Sequence, residues 1–551
     1  MINQEIAEIF YAMADLLEIE AIPWKPRAYR FAAQNIESLS KDIKKIYEKK
    51  GEKGLDDIPG IGEGIATKII EYLETGKIKE YNKLKRSIPK GVIDMLHVPT
   101  LGPKKVNFLY KKLKITNLRK LKSAAEAKKL RYHKGYDKKT EENIRNGIEI
   151  LKQGRGRMAI ATMTEVANII ISDLKKEKPK KIAIVGSLRR KKSTIKDIDI
   201  LVVSNKNIMT HFTSLGKKIV KGPKKASILY HGIQVDLRLF KEDEYGAAMQ
   251  YFTGSKTHNI KLRQIAIKKG YKLNEYGLFK GKKKIAGKTE SGIYKKLSLP
   301  LIPPELREND GEFTNKIPKL VTLKDIKGDF HTHSIYSDGL STLKDLSLGA
   351  KRLNYEYLAV TDHGTPQKYA GPPLTMKRLN EKFKEIKKYK NLIMGVEVDI
   401  VRKGKLFYKD SLLKKMDLVI ASMHTTNKGD QTKTFLKAMD NKHINIMGHL
   451  TGRKFGIKEP RKMDFDAIFD KARDNNIAIE INCTPTRMDI DDKLVKRFVK
   501  KGGIISLGTD THATDNLETL QYGIGTARRG WCRKKDILNT KSREKLYNFL
   551  K

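Results

Sequence analysis

Residues 181–203 read KIAIVGSLRRKKSTIKDIDILVV, and the order of their parts decides what kind of chain this is. Two β-branched runs, IAIV and DIDILVV, predict strands, joined by a Gly-Ser turn and a pair of arginines. Seven residues past Arg190 come Asp197 and Asp199. At i and i+2 of an extended segment, both carboxylates project from one face. A third, Asp236 in IQVDLRLF, stands on a further predicted strand, where it can complete a cage for two Mg²⁺, hard cations that prefer carboxylate oxygen. Two such ions can activate a 3′-hydroxyl and steady a pyrophosphate leaving group. Gly186 and Ser187 can approach a phosphate closely, and Arg190 can neutralise it.

Outward from this stretch the pattern changes on both sides. Residues 1–80 show helical spacing in IAEIFYAMADLLEI and AYRFAAQNIESL, and residues 81–150 continue it with more lysine. A helix returns at HNIKLRQIAIKKG, and the proline-marked stretch from about 299 to 328 reads as a linker. Beyond it YLAV, LVIAS, AIEIN and GIISLG alternate with helical segments such as DAIFDKARDNN, the pattern of βα units around a parallel sheet or barrel.

The chain has 551 residues and a formal charge of +49, from 113 Lys+Arg against 64 Asp+Glu. Residues 1–328 contribute +33 and residues 329–551 contribute +16, so a polyanion can contact either part. Composition alone is equally compatible with a lysine-rich or salt-adapted proteome. No run approaches the ~18 apolar residues of a membrane span, and MINQEIAEIF lacks the basic-then-apolar form of a signal peptide. Cys483 and Cys532 are the only cysteines, which excludes a disulfide framework and fits a reducing compartment, the cytoplasm. A monomer is the default expectation.

One small repeat sharpens the charge argument. Ile58-Pro59-Gly60-Ile61-Gly62 precedes GIATKIIEYL, and Val98-Pro99-Thr100-Leu101-Gly102 precedes PKKVNFLYKKL. Each is a tight turn opening a helix, where backbone N–H groups suit a phosphate oxygen. Two copies in a basic chain point to a sequence-independent grip on DNA through Gly60, Gly62, Thr100 and Gly102; they resemble helix-hairpin-helix motifs.

GSLRR, DID, VDLRL and then Tyr251-Phe252-Thr253-Gly254-Ser255 resemble, in order and spacing, the palm and thumb of DNA polymerase beta and its relatives over residues 1–315. The resemblance implies that Asp197, Asp199 and Asp236 hold two Mg²⁺ and that Gly186, Ser187 and Arg190 bind the triphosphate of a dNTP. It further implies that Tyr251 and Phe252, beside Gly254, flank the sugar, with Asn259 and Arg263 in the minor groove of a gapped or primer–template DNA. It also places the Schiff-base lysine of a deoxyribose-phosphate lyase at Lys68. On residues alone a phosphate contact or a solvated face is the simpler role for this lysine.

Six of the twelve histidines mark the C-terminal part: His331 and His333 in DFHTHS, His363 in VTDHG, His424 in ASMHT, His449 in MGHL and His512 in GTDTH. Asp338, Glu397 and Asp510 accompany them. Most follow an apolar run, so strands of a barrel would bring them together at its C-terminal face. Mixed imidazole and carboxylate ligands suit two or three Zn²⁺, Mn²⁺ or Fe²⁺. The pattern resembles the PHP (polymerase and histidinol phosphatase) domain of prokaryotic family X polymerases, which implies 3′→5′ exonuclease, 3′-phosphatase and abasic-site endonuclease chemistry. GTDTHAT departs from the commoner Ser-Asp-Ala-His without touching the ligand positions, and Cys483 occupies a small-residue position that bears on metal preference.

The expected chain is therefore multidomain. It has a helical lyase-like region (1–80), fingers with the second hairpin (81–150), an α+β nucleotidyltransferase palm (151–240) and a thumb (241–315). A linker (316–328) leads to an α/β distorted TIM-like PHP barrel (329–551). The expected function is template-directed filling of short gaps during base-excision repair, with a metal-dependent nuclease that processes 3′ ends. A repair nuclease with a vestigial palm, and a non-catalytic DNA-binding scaffold, are the alternatives.

Overall fold

The computed structural model describes residues 2–550 except 40–41, 97, 99–100, 134–135, 137–140, 142–143, 145–147, 149–156, 206, 366–373 and 426–428. The helical first part opens on Ile2–Ile19, Lys25–Ser38, Ile43–Asp56 and Glu63–Thr75. Ile6, Phe10, Met13 and Leu17 of the first helix close one core with Ile58, Ile61 and Ile69. Leu16 and Ile19 of the same helix enter a second core with Val92, Val98, Val106 and Leu109. One amphipathic helix thus ties the two hairpin regions together.

The palm is a five-stranded sheet in the order Lys181–Val185, Ile198–Val203, Ile233–Leu239, Lys225–Tyr230, Lys217–Lys221. All its neighbours are antiparallel except the parallel pair Ile198–Val203 and Ile233–Leu239. Lys217–Lys221 and Lys225–Tyr230 lack a clean apolar alternation and were not among the expected strands. The helices Tyr245–Thr253 and Lys256–Lys268 lead into a three-stranded meander, Lys272–Asn274, Gly277–Lys280 and Lys283–Ala286. Lys256 lies over the Tyr11 ring at 3.9 Å and pairs with Glu37 at 3.3 Å, so this part rests against the first helices.

The C-terminal part is a ring of parallel strands: Gly328–Asp329, Tyr357–Val360, Leu392–Asp399, Leu418–Ser422, Ile446–Met447, Ala478–Asn482 and Ile505–Gly508. A bridge between Thr332 and Thr511 joins the first strand's end to the last's, so the barrel is nearly closed. Its strands are buried along their whole length, as parallel strands covered on both faces must be. Within the expected linker, residues 316–328, Val321 is fully buried and its N–H donates to the Cys532 carbonyl, and Leu320 bridges Arg533, while Lys316, Lys319, Thr322, Leu323 and Lys324 are exposed. Ile317 and Val321 supply enough apolar surface to hold this segment, which proline content alone does not reveal. None of the described helices is long and apolar enough to cross a membrane.

Candidate active sites

In the palm, pairing register does what spacing promised. Asp199 lies directly opposite Asp236 across the parallel strands, and opposite Val185 on the other side. Gly186 follows with φ 68°, and a Cβ there would sit 2.4 Å from Asp199 Oδ2, so only glycine lets the GSLRR turn close on the carboxylate. Burial, then the charges of Asp197 and Asp236, push Asp199 up to about 7; burial and Asp236 also raise Asp197. Lys225 and Arg238 pair with Asp236 Oδ2 at 3.5 and 3.7 Å, and Lys196 and Arg157 lower Asp197, but burial and mutual repulsion outweigh them at Asp199 and Asp197. Three such carboxylates fit hard divalent cations.

Around the triad, Arg190 is held from several sides. Its Nη1 donates to the Thr253 carbonyl at 2.5 Å and its Nε to Glu308 at 3.1 Å. Arg189 makes a two-pronged pair with Glu290, which Arg307 also grips at 2.7 Å. Phe252 stacks beside Arg238, whose guanidinium is 4.4 Å from the ring centre, and meets Tyr251 edge-on at 5.0 Å. Asn259 departs from expectation: it is buried, its Oδ1 accepts from Gln250 at 2.7 Å and its Nδ2 donates to the Tyr251 carbonyl at 2.6 Å. It therefore props Tyr251 from behind, while Arg263 is half-exposed on the same helix.

The two hairpins share one hydrogen-bonding pattern. Ile58 N–H donates to Leu55, Ile61 to Ile58 and Ala66 to Gly62; Val98, Leu101 and Val106 repeat this with Met95, Val98 and Gly102. Gly60 has φ 84° and would drive a Cβ into the Phe31 ring, whereas Gly62 and Gly102 are exposed with open space around them. Thr100 lies outside the described residues. Lys68 is engaged, its Nζ 3.0 Å from Glu80 and donating to the Gly64 carbonyl at 2.9 Å.

All nine expected ligands of the barrel meet at the C-terminal ends of its strands. Glu397, fully inside, is the hub: its oxygens lie 2.8 Å from His363 Nδ1, 2.9 Å from His449 Nε2, and 3.4 Å from both His331 Nε2 and His424 Nε2. Asp510 lies 3.2 Å from His333 and 3.6 Å from His331, and Asp338 lies 3.2 Å from His512 and 3.6 Å from His363. Three overlapping groups have ligand spacing: His331, His333, Glu397; His363, Glu397, His424; and His333, Asp338, His363, His512. Buried atoms without a hydrogen-bonding partner concentrate here, on His331, His333, Asp338, His363, Glu397 and His449. Unsatisfied buried donors and acceptors are costly, so this set fits bound cations.

The electrostatics agree. Burial opposes charge on His331, but the carboxylates of Glu480, Glu397 and Asp510 outweigh it and hold the ring well above its ordinary value. His424 is likewise pushed up to about 10 against burial, by Glu397 and Asp399. Burial, with His363 nearby, lowers His333 to about 4, and burial with Arg487 lowers His449 to about 3.

Two residues escaped the sequence reading. Glu480 is fully buried and accepts from His331 Nδ1 and from the His449 N–H, both at 2.6 Å. Asp399 takes His424 Nδ1 at 2.5 Å. Such partners fix ring orientation and tautomer. A carboxylate inside an otherwise apolar strand, AIEIN, and the E-x-D of GVEVD were the available signals. Cys483, by contrast, is buried with its Sγ turned toward Gly523, and belongs to none of the candidate ligand groups.

Comparison with known proteins follows the same division. A helix-hairpin-helix domain model matches residues 1–78, a DNA polymerase beta thumb model residues 248–308, and a PHP domain model residues 329–484. The chain is 32% identical over its full length, and over the full length of the relative, to the DNA polymerase/3′-5′ exonuclease PolX of Bacillus subtilis. A probable phosphatase of Clostridium novyi is 29% identical over 40% of this chain and 93% of its own. Another, from Clostridium acetobutylicum, is 29% identical over 33% of this chain and 78% of its own. With polymerase beta and PHP modules matched in one chain, and identity running from end to end, the protein belongs to the family X DNA polymerases that carry a C-terminal PHP domain.

Proposed function

We propose that this chain fills short gaps in DNA during base-excision repair and trims or repairs the 3′ ends on which it acts. Membership of the family implies DNA binding and dependence on divalent cations; the assignments of residues and ions are our own reading. The observation that carries the polymerase half is the register pairing of Asp199 with Asp236 beside the Gly186 turn. Asp197, Asp199 and Asp236 would hold Mg²⁺, which supplies charge for an attacking 3′-hydroxyl and a departing pyrophosphate. Gly186 and Ser187 bring backbone and hydroxyl to the triphosphate, and Arg190 supplies charge. Tyr251 and Phe252, propped by Asn259, line the sugar, and Arg263 reaches the minor groove. Gly60 and Gly62, and Thr100 and Gly102 in the second motif, grip DNA phosphates irrespective of sequence.

In the barrel, the nine ligands would hold Zn²⁺ or Mn²⁺, which make hydroxide available at neutral pH and clamp a phosphate. Glu480 and Asp399 orient the histidines that carry those ions. The expected products are those of 3′→5′ exonuclease, 3′-phosphatase and abasic-site endonuclease action. A lyase role for Lys68 requires Glu80 to release its ammonium; borohydride trapping on a 5′-deoxyribose-phosphate end, lost in Lys68→Ala, would support it. The division at 80, 150, 240, 315 and 328, a monomeric state and a cytoplasmic location complete the proposal.

The test is extension on a one-nucleotide-gapped duplex, with dNTPs supplied singly and with Mg²⁺ and Mn²⁺ separately. Addition of the template-dictated nucleotide alone is expected. Shortening of the primer with no addition under either ion would leave only the nuclease.

A further inference from the structure

The PHP body does more than follow the polymerase in the chain: one of its helices enters the angle between palm and thumb. Leu520–Arg529 packs one face on the barrel, through Leu520, Ile524 and Ala527, and its Gly523 sits against the Cys483 sulfur. The other face meets the nucleotidyltransferase. Tyr522 packs against the palm core. Gly525 comes so close to the loop after GSLRR that a Cβ would lie 3.0 Å from Lys191 Cβ. At the end of the helix, Arg529 is 7% exposed. Its Nη1 donates to the Arg190 carbonyl at 3.0 Å and to Glu308 at 2.9 Å, and its Nη2 donates to Asp492 at 2.6 Å.

Glu308 is the shared element. The same Oε1 that receives Arg529 also receives Arg190 Nε at 3.1 Å and lies 3.4 Å from Lys192. Arg190 is thereby fixed at three points: its carbonyl by Arg529, its Nε by Glu308, and its Nη1 by Thr253 beside Gly254. Glu308, 24% exposed, faces three cations, and although desolvation opposes its charge, Lys192, Arg529 and Arg190 together hold its carboxyl below the usual carboxylate range. Asp492, on the barrel's helix Asp492–Lys500, anchors the outer side of Arg529, so the clamp has a fixed base.

Resting on the reading of GSLRR as the triphosphate subsite, we propose that Arg529 is a positioning residue for nucleotide binding: through Glu308 and the Arg190 carbonyl, the PHP body sets the pose of Arg190. Arg529 touches no substrate in this account. It removes alternative positions of the loop and of the Arg190 side chain, so that the guanidinium is in place before the dNTP arrives.

Full-length Arg529→Ala, Arg529→Lys and Arg190→Ala proteins are compared in single-nucleotide gap filling, with dNTP and gapped DNA varied separately. Arg190→Ala should raise KM for dNTP by about tenfold or more, the loss of a charged contact. Arg529→Ala should raise the same KM by roughly three- to tenfold, with kcat and KM for gapped DNA within about twofold. Arg529→Lys keeps a charge opposite Glu308 but cannot span Glu308, Asp492 and the Arg190 carbonyl at once, and should fall between wild type and Arg529→Ala. It also serves if the alanine variant fails to fold. An unchanged dNTP KM in Arg190→Ala overturns the underlying subsite. A raised KM in Arg190→Ala with an unchanged KM in every folded Arg529 variant overturns the positioning role alone, and a lowered Tm without a KM change does the same.

Discussion

The palm gathers Asp199 and Asp236 from two neighbouring strands with Asp197 just ahead of the first, whereas the barrel draws nine ligands from six strands and the loops after them. These are braced by Asp399 on one of those strands and by Glu480 on the remaining strand, Ala478–Asn482. The difference shows in their charge balance. In the palm, burial and then the neighbouring charges of Asp197 and Asp236 push Asp199 up to about 7. In the barrel imidazoles face carboxylates at every turn, and protons are held on His331 and His424. Two ways of storing readiness for metal sit in one chain. If they are two independent centres, each should fail alone.

The largest expected effect is on the palm. Asp199→Ala should lower nucleotide addition on the order of 10³-fold, through loss of a ligand at the reacting phosphate, while primer shortening continues. Retained addition would show that the triad is not the site. Nearly as large, His331→Ala/His333→Ala should bring nuclease activity to background and leave addition within about twofold, because the sites share no ligands. A parallel fall of both activities would dissolve the distinction.

A smaller effect separates ligands from their supports. Glu480→Gln keeps shape but weakens the acceptor for His331, and should reduce nuclease turnover by about 10- to 100-fold with lower metal affinity. Addition should be untouched. Wild-type turnover in this variant would make Glu480 a buried structural acid only.

The smallest effect contrasts the two sites by pH. Metal binding needs each ligand deprotonated, so affinity rises with pH until the raised group is ionised or neutral, then levels. For the palm, the Asp199 value of about 7 predicts that the Mg²⁺ requirement of addition falls up to neutrality and is flat above it. For the barrel, the His424 value of about 10 predicts that affinity goes on rising well beyond that point. Metal titrations of both activities between pH 6 and about 9 check this; identical profiles would contradict it.

How much of this the sequence revealed depends on how local the cause is. Asp197, Asp199 and the GSLRR turn follow from strand periodicity and one glycine, and Asp236 needed only a neighbouring strand. Most barrel ligands were legible because they follow an apolar strand, although nothing local says that the ring closes. Glu480 and Asp399 were missed because their only signals, a carboxylate inside the apolar strand AIEIN and the second acid of GVEVD, are shared with ordinary strand acids. Asn259 was assigned to the minor groove with Arg263, and its bonds to Gln250 and to the Tyr251 carbonyl are what spacing alone did not reveal. The contact of Arg529 with Arg190 spans 339 residues and depends on how the helix Leu520–Arg529 meets the palm, which no local pattern reveals.

The most direct measurement uses a one-nucleotide-gapped duplex whose primer ends in a 3′-phosphate, supplied with the matching dNTP, Mg²⁺ and Mn²⁺. The wild-type chain should remove the phosphate and add one nucleotide. Asp199→Ala should stop at the free 3′-hydroxyl, His331→Ala/His333→Ala should leave the phosphate in place, and the two variants mixed should restore the full-length product. Failure of the mixture, with each variant inactive in both steps, would contradict two separable centres in one chain.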